Sequence, residues 1–472
     1  MSSFDVDLAY RFGFLAVGES SNIDDKLVSG WVRVRAGSYN FYVHPELPVK
    51  IVPSSGGVAV LLGDVFICRG DSSVEAILSK MLSEDLWDEF DNLSGRFALF
   101  LISADDCRVF HDPFGSRTVY YRSAGEFGVS SHSSLLASIF EDEVSSQALE
   151  FIRAPEYKMR GTGYLPGDVT MYESINALIP NNGYSQKTRK TFRYWPRAAV
   201  ACESLQGFLD KCDDYFTNFA KSINGRYNAV LGVTGGVDTR AVIAGLMAKS
   251  LPLKLVTWTG GRLPENEVPV VQEMVSHLRQ PHVYMDPGAK VTSEKFASIR
   301  NAANAATGYC RGASSLTANM GEIVGQGDVF IRGYGGEIVR GFYNRHKSKV
   351  GLGLVEDFYS LYKTKRVVDP SSMFENFCKT AISGFISRAN YNQDLFGLDI
   401  RDLYYWEQRM GVWGANMHNE MDPAVYSITG LNSRPLYESA FGLTPELRLG
   451  QKIMLDMTAL YDKKFSDIGV VS

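Results

Sequence analysis

A chain of 472 residues, 45% hydrophobic and 21% charged, is long enough for two or three packed cores and has an ordinary globular composition. Its net charge of -5 argues against a broad nucleic-acid surface or a polybasic membrane patch, and no apolar run approaches the ~18 residues of a membrane span. Six scattered cysteines without a C-x-x-C pair read as neither a zinc site nor a disulfide framework, so free thiols in a reducing cytoplasm are expected.

The opening stretch, "MSSFDVDLAYRFGFLAVG", carries an early Asp and no basic segment, and does not read as a signal peptide. Residues 1 to about 200 are β-rich. Short aromatic or β-branched runs such as "GWVRVRAGSYNFYVH", "GGVAVLLGDVFICRG" and "GRFALFLISADDCRVFHDPFGSRTVYY" are punctuated by Gly, Pro, Asp and Ser. A helical pattern intervenes at "SVEAILSKMLSEDLWDEFDNL". The segment "RYWPRAAVACES" reads as the crossing into a second half.

That second half alternates. "NAVLGV", "LPLKLVTWTG", "PHVYMD" and "DVFIRGYGGE" predict strands; "TRAVIAGLMAKS" and "ENEVPVVQEMVSHLRQ" predict helices. Alternating βαβ units predict a parallel sheet. From about residue 351 the pattern is helical and aromatic.

In such a sheet, ligands sit where strand C-termini meet helix N-termini. "VLGVTGGVDTRAV" (230–242) places Thr234, Gly235 and Gly236 there, followed by Asp238 and Thr239. Free N–H groups, close-approach glycines and two hydroxyls suit a phosphate, and Asp238 suits a Mg²⁺ lying between it and the phosphates. A plain Gly-Gly turn with Asp238 as a helix cap is the other reading. A second apolar strand ends in Gly333, Tyr334 and Glu337; two acids on neighbouring strand ends are what a shared Mg²⁺ needs. Arg240 is open between a phosphate contact and helix surface, and His282 reads as structural.

These loops resemble a family. "TGGVDT" is similar to the S-G-G-x-D-S pyrophosphate loop of the N-type ATP pyrophosphatases, with Thr for Ser at both ends. "GYGGEI" resembles the G-x-G-[GS]-[DE]-[EI] turn of asparagine synthetase and its relatives, with Glu337 for the usual Asp. The β-lactam synthetases, which carry a catalytic Tyr three residues before that acid, look closer still, and Tyr334 stands there. The resemblance implies ATP and Mg²⁺ as cofactors, Asp238 and Glu337 as metal ligands, and Tyr334 with a carboxylate partner as the base for an amine. As implied by the resemblance of these loops to those of ATP pyrophosphatases, adenine is expected against the first two strands, with Leu231 and Val233 on one side and Thr257 and Trp258 on the other, Trp258 being equally open to a core role. The candidate partner is Glu407 in "YYWEQRMGVWG", with solvated surface charge as the alternative. The family's C-terminal phosphate-binding Lys maps to Lys463 or Lys464, with Lys463 preferred. Asp462 just before it departs from the family's basic flank.

The first half resembles a class II glutamine amidotransferase, through "GRFALF", "DPFGSRTVYY" and "FGVSSHSSLLASI". The nucleophilic Cys of that family aligns with Phe12, so ammonia release from glutamine is not expected. The implied architecture is an α+β N-terminal sandwich of the Ntn-hydrolase kind, a degenerate amidotransferase-like domain over residues 1–200. An α/β parallel-sheet ATP pyrophosphatase (synthetase) domain with a helical C-terminal part follows over 201–472. The implied activity is an AMP-forming carbon–nitrogen ligase: a small-molecule or peptide carboxylic acid is adenylated and passed to an amine, in specialised-metabolite or peptide lactam biosynthesis. An ammonia-dependent asparagine synthetase-type enzyme and a non-catalytic partner protein are the alternatives. A biosynthetic partner protein is left open; no nucleic acid or membrane is expected, and the location is cytoplasmic.

Overall fold

The computed structural model describes all residues except 1–4, 22, 24, 71, 85, 260–264, 287–292, 309–311, 346–350 and 471–472. The first half folds into two six-stranded antiparallel sheets. One runs, in spatial order, Ile175–Ala177, Tyr120–Arg122, Gly128–Ser130, Phe14–Gly18, Tyr39–Val43, Val32–Ala36. The other is built on the pairing of Gly57–Ile67 with Leu93–Ile102, in register from Val58↔Ile102 to Ile67↔Leu93. The sheets face one another through aromatic rings, Phe14 and Phe41 meeting Phe100 edge-on at 5.8 and 4.9 Å. On the opposite face of the first sheet, Leu15 and Val17 pack with Leu135, Leu136 and Ile139 of the helix Ser133–Phe140. This inward and outward alternation follows from the two-residue period of a strand.

The second half holds a five-stranded parallel sheet, made of β1 (Asn228–Gly232), β2 (Leu253–Trp258), β3 (His282–Met285), β4 (Asp328–Arg332) and β5 (Tyr426–Thr429). Their order is β3-β2-β1-β4-β5, all parallel. The first four match the predicted strands. The fifth lies inside the stretch that reads as helical; at four residues it is too short to display a period of its own. Helix α1 (Val237–Ala248) follows β1, and the short α2 (Gly336–Val339) follows β4.

"YYWEQRMGVWG" is helical as predicted but wound as a π-helix over Tyr405–Gly414, continuing into Ala415–Met421. A π-helix turns its side chains off the ordinary helical positions and recurs at functional sites. Among the described residues, Cys68, Cys107, Cys202, Cys212 and Cys378 are unpaired; Cys310 lies outside them. Among the described residues no helix is long and apolar enough to cross a membrane.

Candidate active site

Because β1 and β4 are neighbours in parallel register (Leu231↔Ile331), the loops that leave them emerge side by side. The approach is close enough to require glycine. A Cβ at Gly333 would stand 2.3 Å from Thr239 Oγ1, and one at Gly336 would stand 2.4 Å from Asp238 Oδ1. The two acids singled out in the sequence are thereby drawn together. Burial, then the neighbouring Asp238 charge, push Glu337 up to about 7. Glu337 Oε2 is cut off from solvent and has no hydrogen-bond partner.

Next to this junction, reached through Thr239 and Gly333, lies a cavity of about 400 Å³. Thr234, Thr239, Trp258, Gly333 and Tyr334 all line it, as the sequence reading requires of a ligand site. Gly235 and Gly236 form the turn into α1, whose first residues carry no side-chain cap. Asp238, Glu337, Gly235 and Gly236 lie outside the cavity's lining, and Leu231, Val233 and Thr257 do not line it either. Alternation along the strands turns Leu231 and Val233 into the packed core, and Thr257 is buried on the Val233 carbonyl and His282 Nε2. Gly232, between the two apolar residues, faces Trp258 and Phe330 instead. The adenine expectation therefore shifts from four side chains to Gly232 and Trp258.

Three further assignments are corrected. Glu407 is fully buried and gripped elsewhere: Arg193 donates to its two oxygens at 2.6 and 2.9 Å, and Asn181 donates at 2.9 Å. It ties the π-helix to the first half and is not the partner of Tyr334. Among the described residues the carboxylate that lines the cavity is Glu420, thirteen residues further on, and its charge reaches Tyr334. Lys463 is 72% exposed and paired with Asp467, while Asp462 accepts from His277 at 2.7 Å, so neither covers the cavity. Arg240 is neither helix surface nor a cavity residue. It is buried and donates to the carbonyls of Ile468 and Gly469 at 2.6 and 2.9 Å.

Tyr334 sits partly buried between aromatic rings, with Phe114 of the first half stacked on it at 6.0 Å and Trp413 at 6.2 Å. Burial raises its pKa, while the adjacent Arg332 pulls the other way. Arg332 Nη1 donates to the Tyr334 hydroxyl at 3.2 Å and Nη2 to the Met417 carbonyl at 2.8 Å. Its Nε is buried with no acceptor, and it lines the cavity. The signal for Arg332 was present in the sequence, as a full charge closing an apolar strand at the ligand end. Glu420, in "HNEMDP", had none.

Asp238 and Glu337 supply oxygen donors of the kind Mg²⁺ takes when phosphates complete its shell. Among the described residues no cluster of three or more His, Cys, Asp or Glu could hold an ion alone. The pair therefore fits a metal that arrives with phosphate oxygens. One feature opposes it: Arg340 donates to both Asp238 oxygens at 2.8 Å.

A parallel sheet with paired glycine loops at its C-terminal edge is the class of site the geometry defines. No protein-family model and no curated protein matches the chain. Among solved structures it is similar to the NMN synthetase of Francisella tularensis (12% identity, TM-score 0.20, 46% of this chain and 96% of that one). It is also similar to glutamine phosphoribosylpyrophosphate amidotransferase from B. subtilis, complexed with ADP and GMP (12%, TM-score 0.22, 72% of each chain). A third is the glutamine-dependent NAD+ synthetase of Acinetobacter baumannii with ADP (12%, TM-score 0.19, 55% of this chain and 51% of that one). Superposition at this level carries no argument about activity.

Proposed function

We propose that the chain is an ATP-dependent amide synthetase, which adenylates a carboxylic acid and transfers the acyl group to an amine. The observation that carries this reading is the close packing of the two glycine loops at Gly333 and Gly336, which brings the charge of Asp238 to bear on Glu337 next to a cavity that Thr234, Thr239 and Gly333 line. Asp238 and Glu337 would hold Mg²⁺, whose charge would neutralise and orient the phosphates of bound ATP. Thr234, Thr239 and the N–H groups of Gly235 and Gly236 would hold those phosphates, with the adenine near Gly232 and Trp258.

A substrate carboxylate oxygen then attacks the α-phosphorus; the bond to pyrophosphate breaks and an acyl-adenylate forms. Arg332, a cavity cation whose hydrogen bonds among the described residues go to the Tyr334 hydroxyl and the Met417 carbonyl, would orient that carboxylate. In the second step an amine attacks the acyl carbon and AMP departs. Tyr334 and Glu420 would take the amine proton, Tyr334 through its hydroxyl and Glu420 as the final acceptor. Positioning and charge supply most of the rate. The first half, with Phe12 where an amidotransferase would need its nucleophile, serves as a wall of the site. Phe12 is buried and packed on Tyr426 at 4.8 Å.

Phosphorus NMR of the protein with Mg·ATP tests this, one sample holding aspartate and ammonia and another a small-molecule extract of the native cells. AMP and pyrophosphate in the extract sample, abolished by Asp238→Ala, are the expected result. The same products with aspartate and ammonia would make it an ammonia-using asparagine synthetase. ADP and phosphate would overturn the pyrophosphatase reading.

A further inference from the structure

Two side chains stand where that reading would put a cation and a phosphate. The Arg340 guanidinium makes a two-point contact with Asp238, Nε to Oδ1 and Nη2 to Oδ2, both at 2.8 Å, and only 8% of the side chain is exposed. Among the described residues its remaining nitrogen, Nη1, is buried without an acceptor, and Glu337 Oε2 is buried without a donor. On the other side of the loop, the Gly235 N–H donates to Glu267 Oε2 at 3.0 Å. A guanidinium thus occupies the metal-binding acid, and a carboxylate occupies the phosphate-binding amide.

The backbone under Arg340 is fixed. Arg448 donates to the carbonyls of Val339 and Ile338 at 2.9 and 3.0 Å, at the end of α2. A change of partner at Asp238 therefore falls to the Arg340 side chain and not to its backbone.

Resting on the ATP pyrophosphatase reading, we propose that Arg340 and Glu267 are internal counter-ions that make the site accept a metal–polyphosphate complex and reject either component alone. A divalent ion by itself must displace Arg340 and leave a buried guanidinium without an anion. A free polyphosphate must displace Glu267 and meet the charge of Asp238. The complex solves both. Its metal takes the carboxylates, and its phosphate oxygens accept from the Gly235 N–H and from Arg340, Nη1 included. Glu267, which is partly exposed, turns to water. Both residues act through positioning and neither touches the reacting bond.

Electron paramagnetic resonance of Mn²⁺ on the full chain tests this, with Mn²⁺ alone, α,β-methylene-ATP alone and the two together. Wild type should take up Mn²⁺ roughly tenfold or more tightly when the analogue is present, within the usual range of coupling between ligands. Arg340→Met should take up Mn²⁺ alone at least about tenfold more tightly than wild type, with Arg340→Lys between them. Glu267→Gln should bind the metal-free analogue more tightly than wild type does. Equal Mn²⁺ affinity in wild type and a folded Arg340→Met overturns the proposal. So does wild type binding Mn²⁺ alone as tightly as with the analogue, a comparison that needs no variant. If the analogue binds no form of the protein, with or without Mn²⁺, the ATP reading itself falls and takes the proposal with it. Analogue binding without metal–nucleotide coupling removes the proposal alone.

Discussion

Arg332 closes its strand with a full positive charge and spends one N–H on the Tyr334 hydroxyl. On the proposed reading, Tyr334 is the residue on which the second half-reaction turns. Tyr334→Phe keeps the ring between Phe114 and Trp413 and removes only the oxygen. Pyrophosphate release in a single turnover should persist, while amide formation falls roughly 10²- to 10⁴-fold, the range for loss of a general base. Rapid-quench analysis would then find acyl-adenylate accumulating; amide formed at the wild-type rate would remove Tyr334 from the chemistry. The strand-end positions of Asp238, Glu337 and Tyr334 were legible because each lies in a short glycine loop whose spacing is local. Glu407 and Lys463 were not. Whether an acid faces a cavity or an arginine from a distant strand depends on contacts such as Arg193–Glu407, which no local pattern encodes.

Among the elements, β1 to β4 were readable because each is an apolar run bounded by turn residues. What holds the helices in place was less so. Helix α1 begins at the Gly235–Gly236 loop, and Arg240, its fourth residue, is buried under the C-terminal segment, bonded to the carbonyls of Ile468 and Gly469. On a one-dimensional reading, an Arg amid "TRAVIAGL" could equally be a solvated side chain. Arg240→Met would leave two carbonyls without their charged donor. Urea unfolding should show a loss of about 2–3 kcal/mol, the scale of hydrogen bonds to a charged group. Limited proteolysis should cut first near residue 468. Lys463→Ala, which removes an exposed pair with Asp467, should stay within about 0.5 kcal/mol of wild type. Equal losses for the two would mean that the C-terminal anchor contributes nothing to α1.

Across the whole molecule, the two halves share one buried polar seam. Arg96 of the first half donates to both oxygens of Asp422 at 2.5 and 2.6 Å, with Arg96 fully buried and Asp422 1% exposed. Asn432 donates to Gly95 and Asp112, and Trp406 donates to the Pro113 carbonyl. The first half also lends Gly161 and Thr162 to the cavity wall. Composition showed two textures but not this seam, whose polar residues look like surface until they are paired. Its acid sensitivity follows from His132, buried beside Arg117 and Arg96. Burial, and then those two charges, bring its pKa down to about 3. The ring is therefore neutral in the fold and protonates near pH 6.5 once unfolded. The unfolded chain binds the extra proton between about pH 6.5 and 3, so stability falls as pH drops through that window, approaching ~1.4 kcal/mol per pH unit for this one group. His418, held well below its ordinary value chiefly by burial, acts in the same direction. Urea midpoints taken from pH 7.5 to 5 should decline for wild type and decline less steeply for His132→Gln. Tryptophan fluorescence and circular dichroism should report one shared transition, because the seam couples the halves. Identical slopes for the two proteins would show that His132 is protonated in the native state, and two separated transitions would show that the halves unfold independently of Arg96 and Asp422.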